Sequence, residues 1–113
     1  MLSEKAEIAL RDIRYHIDLA SDFTSGLDYE AFEIDLKTVY AVTRCLEIIS
    51  EASRRLPSEI KERYPEIGWI EIASAGNIYR HEYEYVLSEL VFKTVRIDLL
   101  VLRAVIEAEL KHS

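Results

Sequence analysis

The chain has 113 residues, half of them apolar and 31% charged, with three Gly, two Pro and a mean hydropathy of −0.03. That make-up is one compact domain, and it excludes a disordered chain, a collagen-like repeat and a multi-domain enzyme. Twenty-one acids against fourteen bases leave a net charge of −7, the wrong sign for a general nucleic-acid binder, although a local basic site stays open.

From Ser3 to Ala20, Ala6, Ala9, Leu10, Ile13, Ile17 and Ala20 recur at three- and four-residue steps, which predicts an amphipathic helix with Ser3 as its cap. The turn formers of SDFTSGLD follow, and Asp28 is placed to cap a short helix carrying Tyr29, Phe32 and Leu36. A connector of this length suits an antiparallel helix pair. From about Asp35 to Leu56 two adjacent apolar stripes, Val39, Val42, Leu46 and Ile49 beside Ala41, Cys45, Ile48 and Ala52, predict a helix buried on more than one side. Pro57 stops it and suits position N1 of a short helix, PSEIKERY, which Pro65 ends. Gly68 and Trp69 open a segment whose Ile70, Ile72, Ala73 and Ala75 read as helix, since no partner strand is visible elsewhere. Ser88 is expected to cap a last long helix with the core stripe Phe92, Val95, Leu99, Leu102 and Ile106. The result is an all-α chain, an antiparallel bundle of about five helices in a single domain over residues 1–113.

That last helix carries a second apolar line, Leu90, Ile97, Val101, Ala104 and Ala108. A small bundle needs only one such face, so the second predicts a homodimer formed by helix packing. No apolar run approaches the roughly 20 residues that span a bilayer. The N-terminal sequence lacks the features of a signal peptide, so the expected location is the cytoplasm. The single Cys45, on an apolar helix position, reads as a small core residue. No disulfide, metal or other cofactor is expected, because one Cys and three scattered His offer no ligand spacing.

No Gly-rich phosphate loop, Cys-x-x-Cys, His-Glu-x-x-His or Gly-x-Ser-x-Gly occurs. One dense segment remains: Asn77, Tyr79, Arg80, His81, Glu82, Tyr83 and Tyr85 fall within nine residues. Chemistry on a phosphodiester needs a group that takes and returns a proton near neutral pH, which an imidazole does, and a cation for the phosphoryl oxygens, which a guanidinium supplies. His81 and Arg80 are those residue types, although sequence neighbours on a helix diverge by about 100° and Arg80 must rely on its length. Asn77, four residues before His81, shares its face and can orient the ring or a bound phosphate. A hydrogen-bonded helix corner would use the same residues. His16 reads as a boundary residue of the first helix and His112 as part of the tail.

The order of features from Asp28 to Val86 closely resembles the HepT-like family of HEPN-superfamily proteins. The resemblance rests on Phe32-x-x-Asp35, Arg44-x-Leu46-Glu47-Ile48-Ile49-x-Glu51-Ala52, Tyr64-Pro65-Glu66-Ile67-x-Trp69 and His81-x-Tyr83. It implies a HEPN-like all-α homodimer with its motif in a cleft between subunits. It implies too a metal-independent endoribonuclease toxin acting on RNA, paired with an MNT-type nucleotidyltransferase antitoxin that adds AMP to the tyrosine of His-x-Tyr. Carried onto this chain, His81 is the proton-transfer residue, Asn77 the polar residue of the motif and Tyr83 the modification site. No role on DNA or at a membrane is implied. The chain departs from the pattern where an arginine is expected five residues before His81: Gly76 stands there. Arg80 can take its place, or the chain is a catalytically degenerate helical partner of a nucleotidyltransferase.

Overall fold

The computed structural model describes residues 2–112, which form helices with no strand among them. Helix α1 (Glu4–Thr24) begins where the Ser3 hydroxyl accepts the Ala6 N–H at 3.1 Å, and it buries the expected stripe from Ala6 to Ala20. It runs one turn beyond Ala20, and Gly26, at φ +78°, turns the chain. Asp28 then caps α2 (Tyr29–Ile34), accepting the Ala31 N–H at 2.8 Å, and Asp35 caps α3 (Leu36–Ser53) through both the N–H and the hydroxyl of Thr38.

Helix α3 is central, with α1 packed along one side and α5 (Trp69–His81) along another, as its broad apolar arc predicts. The short α4 (Ser58–Arg63) has Pro57 as its N-cap, one position before the expected N1; the missing proline N–H costs nothing at either place. The Trp69 indole N–H is shared by the carbonyls of Lys61 and Tyr64, at 3.2 and 3.1 Å, and ties α5 to the end of α4.

The last helical run differs from expectation at its start. It begins at Glu84, with Tyr83 as the extended N-cap residue, and proceeds as α6 (Glu84–Lys93), a π-helical turn (Thr94–Asp98) and α7 (Leu99–Lys111). Ser88 does not cap it. Ser88 lies buried inside α6, 3.2 Å from the Tyr29 hydroxyl, so a contact with α2 uses the side chain that local sequence assigns to a cap. With the run counted once, the described residues form four long helices and the two short ones, α2 and α4.

Paired contacts set the directions. Arg14 meets Glu107 at 2.9 Å and Asp18 meets Arg103 at 2.7 Å, so α1 and α7 run antiparallel. Arg54 and Ser50 reach the Ala73 carbonyl while Glu47 faces Arg80, so α3 and α5 do as well. The core holds Phe32, Leu10, Ile13, Val42, Val91 and Ile106 at its centre, and Cys45 is buried there, its thiol pKa pushed up by desolvation. No helix among the described residues is long and apolar enough to cross a membrane.

Candidate functional site

Helix α5 carries the dense polar segment and is held mainly by α3. It meets α3 directly at Gly76. The Gly76 N–H donates to Ser50 Oγ at 3.2 Å, and that hydroxyl donates in turn to the Ala73 carbonyl at 3.0 Å. A Cβ at position 76 would stand 3.3 Å from Ser50 Oγ. The position where the family pattern has arginine is therefore a buried helix crossing in this chain, which is a packing reason for the glycine.

The buried face of α5 leaves Asn77 and His81 exposed, one turn apart on the same side, as their spacing predicts. Tyr83 is 77% exposed at the start of α6. Tyr79 is buried, with its pKa raised first by desolvation, so it belongs to the core; the Tyr85 side chain lies outside the described residues. Arg80 turns toward α3, where its Nε is 3.5 Å from Glu47 Oε2. Arg80 and Glu82, the neighbours of His81, line a cleft of about 360 Å³ with Tyr40, Arg44 and Glu47, and His81 does not. Within one chain the structure thus groups Asn77 with His81, and Arg80 with α3.

Arg44 and Glu47 at this site read, from the sequence, as part of α3's solvated face. Their i, i+3 spacing was the available signal, and Arg44 Nη1 is 3.5 Å from Glu47 Oε1. His16 lies on α1 with Nδ1 2.8 Å from the Asp12 carbonyl oxygen, a local contact, and His112 is the exposed C-cap of α7. Among the described residues no group of three or more His, Cys, Asp or Glu is arranged to hold a metal.

Between α5 and the last helical run lies an apolar groove of about 250 Å³, lined by Ile72, Ala75 and Ile78 on one side and Leu90, Leu99 and Leu102 on the other. Ile97, Leu100 and Val101 stand exposed on the same helical run. Of the second apolar line read from the sequence, Ile97, Val101 and Ala104 are exposed, while Leu90 and Ala108 are half-buried.

Comparison with known proteins agrees with this architecture. The family model described as "Ribonuclease HepT-like" matches residues 13–109. The chain is 41% identical over 90 residues to the "Probable ribonuclease HepT" of Thermococcus cleftensis, covering 80% of this chain and 82% of the relative. It is 37% identical over 90 residues to the "Putative RNase MJ0125" of Methanocaldococcus jannaschii, covering 80% and 78%. No solved structure matches significantly. With nearly the whole helical bundle inside the matched span, the chain belongs to the HepT-like ribonuclease family.

Proposed function

We propose that the chain is the RNA-cleaving toxin of a cytoplasmic toxin–antitoxin pair and acts as a homodimer without a metal. The observation that carries this reading is the exposed face of α5, where Asn77 and His81 stand one turn apart, with the accessible Tyr83 two residues on and Arg80 in the adjoining cleft against α3. Relatives named as ribonucleases support the same substrate class. His81 takes the proton of the attacking ribose hydroxyl as the new P–O bond forms, and a proton returns to the departing oxygen. Arg80 bears the charge that develops on the phosphoryl oxygens and Asn77 orients the phosphate. A two-fold dimer closed over the apolar groove brings Arg80 and His81 of both chains toward one RNA. Tyr83 is the acceptor for AMP from an MNT-type nucleotidyltransferase antitoxin, since a phosphate-linked adenylate there blocks the face that His81 needs.

A second reading is favoured by Gly76. Its burial against Ser50 leaves no cation at the usual place, which fits a non-cleaving partner of the nucleotidyltransferase. Cleavage of a mixed RNA pool in excess chelator separates the two. The first expects wild-type protein to cut and His81→Ala, with fold and mass unchanged, to lose at least about 100-fold of the rate. A folded wild type, unmodified at Tyr83, that leaves the RNA intact selects the second.

A further inference from the structure

Two arginines of this chain are held unlike all the others. Every other arginine has a partner at 3.2 Å or closer. Arg44 and Arg80 instead share one carboxylate, each 3.5 Å from a different oxygen of Glu47, longer than a charge-assisted hydrogen bond. Glu47 is only 16% exposed, while the side chains of Arg44 and Arg80 are 69% and 59% exposed. One nitrogen of each fork faces Glu47, and the remaining N–H groups of both are available to a ligand.

The cleft they border also holds Tyr40, exposed and one helical turn before Arg44 on α3, so an aromatic face adjoins the cation pair. Glu82 lines the same cleft. With two arginines and two glutamates the lining is close to neutral, so an anion would be selected by fork geometry more than by net charge. The planar, multidentate guanidinium fork suits the oxygens of a phosphate. A cation beside an aromatic face is how single-stranded nucleic acid is held, phosphate on one and base on the other.

We infer that Arg44 and Arg80 form a two-fork subsite for one phosphate of single-stranded RNA, oriented by Glu47 and floored by Tyr40 for the adjoining base. It rests on the ribonuclease reading and extends the RNA path from the His81 face onto α3. Arg44 meets the strand through the phosphate it shares with Arg80 and takes no part in the proton transfer at His81, so it is a binding residue.

The test measures binding of a fluorescent 12-nucleotide single-stranded RNA, over a salt series, to His81→Ala protein with and without a second change. Adding Arg44→Gln is expected to weaken binding about five- to tenfold and to reduce the slope of log K against log salt by about 0.7, the contribution of one phosphate contact. Arg44→Lys should keep the slope and recover part of the affinity. Lys37→Gln, an exposed charge on the same helix outside the cleft, is the control. If Arg44→Gln behaves like Lys37→Gln, or weakens binding with no change of slope, the subsite is wrong even where wild type cleaves RNA. If wild type neither cleaves nor binds the RNA, the ribonuclease reading falls and the subsite with it. Loss of ATP binding on Arg44→Gln with RNA affinity unchanged would assign the pair to a nucleotide and overturn the RNA assignment.

Discussion

Gly76 carries two opposing local effects that a double-mutant cycle can separate. Alanine at an interior helix position is worth about 1 kcal/mol over glycine, but here its Cβ would press on Ser50 Oγ, which two hydrogen bonds hold in place. Gly76→Ala should therefore be more favourable by about 1 kcal/mol in a Ser50→Ala background than in wild type, measured by urea unfolding. Additive effects would mean that the two residues do not meet. Glu109 is the other telling residue. Buried on α7, it accepts from Nε and Nη2 of Arg63 and from the Tyr64 hydroxyl, and the Arg63 hydrogen bonds hold its pKa below the ordinary carboxylate range. A lowered folded-state pKa stabilises above the unfolded value and is lost as pH falls through the folded one. Glu109→Gln should lower the thermal midpoint by about 3–6 °C at pH 7, a difference that narrows once pH drops below about 4. The lowered pKa of Asp18 is present in both proteins and cancels from that difference.

Among the elements, α5 is the one that needs outside help. It has no side-chain cap at its start, and its first turn is pinned by the Trp69 indole. Trp69→Phe keeps the ring buried and removes the shared N–H, leaving the carbonyls of Lys61 and Tyr64 without it. A loss of about 1–2 kcal/mol is expected, with amide exchange rising first in α5, whose C-terminal end carries His81. Uniform loss of protection across the bundle would contradict this. The last helical run has its own irregularity. The π turn at Thr94–Asp98 inserts a residue into the helical count, and Arg96 within it donates to the carbonyls of Thr24 and Leu27 while stacking 4.7 Å over the Phe92 ring. That anchor fixes the end of α1 to the run where its exposed apolar line begins, at Ile97.

At the scale of the whole molecule, the uncovered line and the groove beside α5 are the feature that one chain does not explain. If a second copy covers them, a charge at the centre is costly, because it is desolvated without a partner. Val101→Asp, at an exposed position that contributes nothing to the core, should convert a dimer at micromolar concentration to a monomer with unchanged helix content, read by sedimentation equilibrium. A wild type that already sediments as one chain would overturn the dimer.

The sequence by itself determined the helices, their caps at Ser3 and Asp28, the buried stripes of α1, α3 and α7, and the shared face of Asn77 and His81. Those features depend on periodicity and on hydrogen bonds within four residues, which are written locally. Only the tertiary structure decided that Ser88 serves Tyr29, that the last run opens at Glu84 and bulges at Thr94, that Gly76 is a helix crossing, and that Arg80 joins Arg44 on Glu47. Ser88, Gly76, Arg80 and the Arg96 of the bulge each meet a partner many residues away, which no local pattern encodes.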